Sequence, residues 1–385
     1  MMSLLGADVS YMRKAFLMHK IFQVDGFLTL IILGVGYMIV PRFRNIALPS
    51  KKLAFVSLIL IFFSISASIA SSVNTNENIF YMIGRIAHIL GVIIFGGMVL
   101  WMLRIRSRLL RTADYFIALS VMTLVTVDLL QLMENLSIGS DLSVVQVLLL
   151  FAVLMILGIE YKTLPSFLGF IRPARKLSRI SFGFASASVL LGVISIVYLN
   201  NPALAVLFNV MLLGCSITFA NSVYIFGGFD NTEILRLMQG EKKARYIYTI
   251  RHSRLAFVFL FAGTGTAAAF ITVANNYMLY DLAIHYTAIG FIGITIALYL
   301  PLMLPPITGR IIHFTKFNNI PITLVVLALL IRTLGDFAIA TQLASGMINY
   351  IAMVSGWLIV SAIIVFIKMI YASMREIDSQ LAGSI

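Results

Sequence analysis

Eleven long apolar stretches follow one another along the chain, separated by short polar segments. A membrane-spanning helix needs about 20 mainly apolar residues, and each stretch is close to that length. The stretches are continuous rather than short and alternating, which favours helices over the strands of a membrane barrel. We therefore predict an all-α, polytopic transmembrane helical bundle that forms a single integral-membrane domain over residues 1–385. The predicted spans are 16–40, 53–72, 79–103, 113–133, 143–159, 180–199, 203–226, 255–274, 278–304, 320–341 and 347–371.

Composition agrees with this assignment and leaves no room for a separate soluble domain. Of the 385 residues, 61% are hydrophobic and 11% are charged, and the mean hydropathy is +1.01. The longest connection, 229–254, carries Ile234, Leu235, Leu237 and Met238 among charged residues. It is either an amphipathic segment on the cytoplasmic leaflet or a solvated linker helix between two bundles.

Lysine and arginine gather on alternate connections, and this asymmetry predicts the orientation of the chain. Cytoplasmic loops of membrane proteins are rich in these residues. We predict a protein of the cell (inner) membrane with its N-terminus outside and its C-terminus in the cytoplasm. The net charge of +13 follows from this topology, so no nucleic-acid partner is expected. The basic positions on the cytoplasmic side include Arg42, Arg44, Lys51, Lys52, Arg104, Arg106, Arg108, Arg111, Lys162, Arg172, Arg175, Lys176, Arg179, Arg310, Lys316, Lys368 and Arg375.

Three of the five histidines, His19, His88 and His285, fall in the outer parts of spans that run in the same direction. At 1.5 Å per residue, they lie roughly 5 to 14 Å below the outer edge. Imidazole is a common ligand of haem iron and copper, and an ionisable side chain inside a membrane indicates a functional site. His252 and His313 lie on the cytoplasmic side. The pattern predicts a metal or haem site near the outer face; the alternative is three histidines that each make an interhelical hydrogen bond.

The residues around these histidines suit a haem. Arg85 lies one turn before His88 and could pair with a haem propionate. Asp281 lies four residues before His285 on the same helix face, where it could accept the second ring proton. Glycines near His19 and His88 would let a macrocycle or another helix approach the backbone. These glycines are Gly26, Gly34, Gly84 and Gly91.

Two segments resemble signature regions of the NnrS family, polytopic membrane proteins that contain haem and copper and are linked to nitric oxide metabolism. The first segment, 18–50, has a histidine, a Gly-Phe pair and a proline followed by basic and aromatic residues. The second, 284–310, has a histidine, a glycine and a terminal Thr-Gly-Arg. The matching residues are His19, Gly26, Phe27, Pro41, Arg42 and Phe43, then His285, Gly290, Thr308, Gly309 and Arg310, with a weaker match at His252.

The resemblance implies haem b as cofactor, copper as a second metal, nitric oxide as a ligand, and a redox partner or respiratory complex subunits as partners. The chain departs from the family pattern at Lys20 and Ile307, where the family usually has further histidines, so copper is expected less than haem. The family usually has twelve spans, one more than predicted here. We expect His88 and His285 to be the axial ligands, because both lie deeper than His19 and each has a supporting neighbour. His19 would be an alternative ligand or part of a copper site.

Two other classes of function remain open. The complete active site of a haem-copper oxidase or nitric oxide reductase needs more histidines, including an adjacent pair, so no catalytic residues are predicted. Transport of a solute, with or without protons, is an alternative because Asp25, Asp128, Arg332 and Asp336 are intramembrane charges. Arg332 and Asp336, four residues apart, are expected to pair within one helix. A non-catalytic membrane subunit of a respiratory complex is the third possibility.

Overall fold

The computed structural model describes residues 18–73, 77–104, 111–134, 141–167, 172–197, 202–227, 237–272, 277–307, 309, 314, 317–340 and 346–382. Almost every one of these residues is helical, and none of them is in a strand. The predicted all-α fold is therefore confirmed.

The described residues form eleven long helices, one for each predicted span. Ten of them, all except α8, are long and apolar enough to cross a membrane, so the chain is a polytopic helical membrane protein. The helices are α1 Met18–Arg44, α2 Lys51–Val73, α3 Glu77–Arg104, α4 Thr112–Glu134, α5 Asp141–Phe167, α6 Arg175–Val197, α7 Pro202–Ser222, α8 Gly240–Thr272, α9 (Tyr277–His285, Tyr286–Gly293 and Ile294–Ile307), α10 Ile320–Ala340 and α11 Gly346–Ala382.

Helix α8 carries the chain from the predicted cytoplasmic connection directly into the eighth predicted span. It is 33 residues long and continuous. In its first half Tyr246, Thr249 and Ile250 are buried, while Glu241 and Lys242 are exposed. The burial follows the spacing of one helix face, as expected for an amphipathic segment. Residues 228–236 of the connection lie outside the described part.

By its internal contacts the chain divides into two units. The first comprises Met1–Thr163 and Phe182–Phe208, and the second comprises Leu164–Ser181 and Asn209–Ile385. Helices α5, α6 and α7 contribute residues to both. The prediction of one integral-membrane domain stays a prediction.

In the first unit, α3 packs against α1, α2 and α4. The Tyr37 hydroxyl on α1 lies 2.6 Å from the Ser57 hydroxyl on α2, and the Tyr37 ring meets Phe95 of α3 edge-on at 5.2 Å. A Cβ atom added at Gly91 of α3 would come within 2.9 Å of the Ser57 carbonyl oxygen. The α2–α3 contact therefore depends on a residue without a side chain at this position.

In the second unit, α9 packs against α8 and α10, and α10 packs along α11. Phe291 of α9 meets Phe257 of α8 at 5.6 Å between ring centroids. A Cβ atom added at Gly290 would come within 2.6 Å of the Phe259 side chain. Close packing of α8 on α9 accordingly requires glycine at 290.

The two units share one local construction, in α1 and in α9. Each helix contains a π-helical segment, Ile21–Leu28 in α1 and Tyr286–Gly293 in α9. One constant interval in sequence separates four pairs of residues. The two members of the fourth pair both have positive φ, 51° at Asn45 and 74° at Gly309. The pairs are Gly26 and Gly290, Phe27 and Phe291, Pro41 and Pro305, and Asn45 and Gly309.

After each of these helices the chain continues into two further helices that pack against each other, α2 with α3 and α10 with α11. The shared features therefore cover about three successive helices in each unit. A π-helix in a membrane span is uncommon and is often associated with a functional position.

Asp114 at the start of α4 holds two basic side chains of the first unit. Its Oδ2 lies 3.2 Å from Arg44 Nη2 of α1, and its Oδ1 lies 3.2 Å from Lys162 Nζ of α5. The Asp114 side chain is completely buried. The Arg111 backbone N–H donates to the same carboxylate, at 2.9 Å. One carboxylate thus connects α1, α4 and α5.

We expect Asp114→Asn to destabilise the protein by about 3–5 kcal/mol, because it leaves two buried cations without their counter-charge. Thermal unfolding of the detergent-purified protein measures the effect. Lys242→Gln, an exposed charge on α8, is the control and should leave the unfolding temperature unchanged. Equal stability of Asp114→Asn and the wild type would contradict this role.

Candidate functional site

The most deeply buried histidine of the described residues is His88 on α3, which is 1% exposed. Its Nδ1 lies 3.1 Å from Asp128 Oδ2 on α4, and Asp128 is 2% exposed. Because a carboxylate only accepts, the ring donates its Nδ1 proton in this contact. The other ring nitrogen, Nε2, is buried and has no hydrogen-bond partner among the described residues. A buried nitrogen of this kind is either costly or available to a ligand.

Arg85, one turn before His88, extends the same polar cluster. Its guanidinium donates to the Gln131 side-chain oxygen on α4, and its Nε has no hydrogen-bond partner among the described residues. Asp25 of α1 is close enough to interact electrostatically with both Arg85 and His88. The cluster therefore combines one arginine, one histidine and two aspartates inside the first unit.

The glycines on the His88 face of α3 are covered by another helix. A Cβ atom at Gly84 would meet Ala67 Cβ at 3.1 Å, and one at Gly91 would meet Ile61 as well as Ser57. All three of these neighbours belong to α2. Of the two possibilities raised by the sequence, helix packing accounts for these glycines.

His19 lies at the start of α1 and is exposed. Gly26 is buried and faces Ile65 of α2, at 3.7 Å for an added Cβ, whereas Gly34 has no heavy atom within 4 Å of such a Cβ. A stripe of residues calculated for an α-helix does not hold here, because Ile21–Leu28 is π-helical and has more residues per turn. Thr29 closes this segment by donating its hydroxyl to the Val24 carbonyl, at 2.9 Å.

His285 on α9 belongs to the second unit, and the structure brings it close to Asp281 as predicted. Its Nδ1 lies 2.7 Å from the backbone carbonyl oxygen of Asp281 and 3.5 Å from the Asp281 carboxylate. The nearest acceptor of the ring proton is therefore the backbone. His88 and His285 lie in different units, so their pairing on one iron stays a prediction.

The Asp281 carboxylate is held mainly by Arg332 of α10. Its Oδ2 lies 2.6 Å from Arg332 Nη2 and 2.7 Å from Arg332 Nε. Asp336, which we expected to be the partner of Arg332, lies 3.8 Å from the same Nε atom. The expected pairing within α10 was thus wrong as the main contact, because the guanidinium forms its shorter contacts with a neighbouring helix.

The two remaining histidines were predicted to lie away from the site. His252 on α8 has its Nδ1 2.8 Å from the Tyr248 carbonyl oxygen. Burial lowers the pKa of His252, so its ring is neutral at pH 7. Since His252 and His285 make the same contact with a backbone carbonyl one turn earlier, that contact does not distinguish a ligand. His313 lies outside the described residues.

Within the described residues, no group of three or more His, Cys, Asp and Glu side chains is arranged to hold a metal ion. The single cysteine, Cys215, is buried in α7. A metal-binding proposal for the described part of the chain therefore begins with single histidines.

Comparison with known proteins gave no match, either to a model of a protein family or to a curated protein.

Sequence reasoning named Asp128 as an intramembrane charge but did not connect it with His88, and it missed Gln131. The apolar periodicity of α4 gives no signal for which helix faces it. A polar residue at each of 128 and 131, three apart on one helix face, was the available sign of a shared partner.

The different contact lengths around Arg332 predict different costs of removing the two carboxylates. Asp281→Asn should lower stability by roughly 1.5–3 kcal/mol, since it removes two short charge-assisted hydrogen bonds. Asp336→Asn should cost less, because its contact with Arg332 is longer than a hydrogen bond. Thermal unfolding of the two purified variants compares them, and a larger loss in Asp336→Asn would contradict the assignment of Asp281 as the main partner.

Proposed function

We propose that this protein binds haem in the membrane and that His88 ligates the iron through Nε2. The observation that supports the proposal is the state of the two ring nitrogens. Nδ1 is held by Asp128, while Nε2 is buried without a partner among the described residues. Histidines that ligate metals usually donate their other ring N–H to a carboxylate or carbonyl, which fixes the tautomer and the ring orientation.

The donor set fits a haem iron better than it fits a separate metal site. Haem needs only one or two axial ligands from the protein, whereas copper at His19 would need ligands beyond this single histidine. Covalent attachment of the c type needs a pair of cysteines, and the chain has one. Haem b, which is held without covalent bonds, is therefore the form proposed, and copper is a weaker proposal.

Each polar neighbour of His88 has a role in this proposal. Asp128 holds the Nδ1 proton and so keeps the lone pair on Nε2. Arg85, whose Nε has no hydrogen-bond partner among the described residues, supplies positive charge for a propionate. A haem bound here would supply one-electron exchange and binding of a diatomic gas. With the resemblance to the NnrS family, this favours nitric oxide handling or electron transfer, with a redox partner or respiratory subunits as partners.

The second axial ligand proposed is His285, and His19 is the alternative. The support for His285 is its position at the start of the π-helical segment of α9 and its Nδ1 contact with the Asp281 carbonyl. His252 makes the equivalent carbonyl contact, which makes it a matched control for both.

An optical spectrum of the purified full-length protein, oxidised and reduced, tests the proposal. We expect a Soret band in the wild type, its loss or conversion in His88→Ala and in His285→Ala, and no change in His252→Ala. Asp128→Asn should lower haem affinity about 10- to 100-fold, because it removes the group that orients the ligand. No chromophore after incubation of the wild type with haem, or a normal spectrum in His88→Ala, would contradict the proposal.

A proton-coupled transporter is the second candidate, and one observation favours it. Asp281 and Asp336 both face the single guanidinium of Arg332 within membrane-spanning helices. Intramembrane carboxylates are costly and often line ion or proton paths. A transporter would show no Soret band, so the same spectrum separates the two candidates.

A further inference from the structure

A cavity of about 640 Å³ lies between α8 and α10 in the second unit. The first half of α8 and the start of α10 form its walls. Both helices contribute residues in order along their lengths, from polar to apolar. On α8, Arg251 and Arg254 are followed by Leu255 and Val258; α10 contributes Asn319, just before its first residue, and later Val326. The cavity therefore has a basic, polar end and an apolar end.

The basic end offers a cation that no other group uses. Arg251 is exposed and forms no hydrogen bond or ion pair among the described residues. Arg254 is held in place because its Nε donates to the Ile225 carbonyl at 2.8 Å and its Nη2 donates to the Gly227 carbonyl at 2.9 Å. Backbone carbonyls orient a guanidinium without neutralising it.

Two further features favour an anion at this end. Helix α10 begins at Ile320, beside Asn319 and Thr323 of the cavity, and the N-terminus of a helix carries partial positive charge. His252, which also lines the cavity, is neutral at pH 7 because burial lowers its pKa. The arginines therefore supply the full charges of the lining.

The apolar end matches hydrocarbon rather than water. Leu255, Val258, Ile322 and Val326 line it, and Val258 is 50% exposed. The change from basic to apolar lining coincides with residue 255, where the eighth predicted span begins. A site at this position faces the zone of the bilayer in which phosphate headgroups meet acyl chains.

We propose that this cavity binds an anionic phospholipid, with its phosphate at Arg251 and Arg254 and an acyl chain along Leu255, Val258 and Val326. A phosphate group with an apolar tail is the chemistry that the two ends share. The proposal is independent of haem binding, because its residues lie on α8 and α10 and include none of the proposed iron ligands.

Thermal unfolding of the full-length protein in detergent tests the site with three additions: phosphatidylglycerol, phosphatidylcholine and inorganic phosphate. We expect phosphatidylglycerol to raise the unfolding temperature by several degrees and the other two to leave it nearly unchanged. Arg251→Gln should remove at least half of the shift. The matched control is Lys242→Gln, which removes an exposed charge from the same helix outside the cavity lining and should keep the full shift.

A second variant tests the apolar end. Val258→Trp fills space next to the proposed acyl chain, so it should reduce the shift with phosphatidylglycerol. Both substituted residues are at least half exposed or exposed, so the variants are expected to fold, and their unfolding temperatures without lipid verify this.

The outcomes separate the sources of the phosphate. Stabilisation by inorganic phosphate equal to that by phosphatidylglycerol would show that the tail contributes nothing and would overturn the lipid proposal. A full shift in Arg251→Gln would overturn the assignment of the headgroup. Equal shifts with phosphatidylglycerol and phosphatidylcholine would show that the anionic charge is not recognised.

Discussion

Charged and strongly polar groups inside membrane-spanning helices are stable only when another helix supplies a partner, and this constraint accounts for most of the interhelical polar contacts of the protein. A buried charge without a partner costs several kcal/mol. Asp114 is matched by Arg44 and Lys162, His88 by Asp128, and Asp281 by Arg332. Each of these contacts joins different helices. The exceptions are therefore informative, and the clearest is Nε2 of His88, which is buried and has no hydrogen-bond partner among the described residues.

Each unit contains one such cluster with the same residue types. The first combines Arg85, His88, Asp128 and Asp25, and the second combines Asp281, His285, Arg332 and Asp336. Each unit also contains a π-helical segment, and residues in or next to both segments belong to the clusters: Asp25 lies inside the first, and His285 immediately precedes the second. The wider turn of a π-helix changes which side chains face a neighbouring helix. We infer that the π-helical segments position ionisable groups in both units.

The helical architecture was predictable from the sequence because apolar length alone determines whether a helix can span a membrane. Helix boundaries were less predictable where a polar residue has a partner. The predicted fifth span ended at 159, before Glu160 and Lys162, yet α5 continues to Phe167. Glu160 is 1% exposed and Lys162 pairs with Asp114, so neither residue ends the helix.

The candidate site was predictable in its residue types but not in its contacts. Five histidines in 385 residues drew attention to His88 and His285, and Asp281 was correctly placed near His285. The Asp128 partner of His88 lies 40 residues away in sequence, and hydrophobic periodicity does not report which helices are adjacent. The same limit explains the expected pairing of Arg332 with Asp336, since contacts within a helix are visible in a sequence whereas contacts between helices are not.

The protonation state of the His88 ring tests the account most directly. Nitrogen-15 chemical shifts of histidine-labelled, haem-free protein distinguish a protonated from an unprotonated ring nitrogen, and His88→Gln identifies the signals of His88. The account predicts a proton on Nδ1, held by Asp128, and none on Nε2. A proton on Nε2, whether alone or together with one on Nδ1, would contradict the claim that Asp128 keeps the Nε2 lone pair available to a ligand.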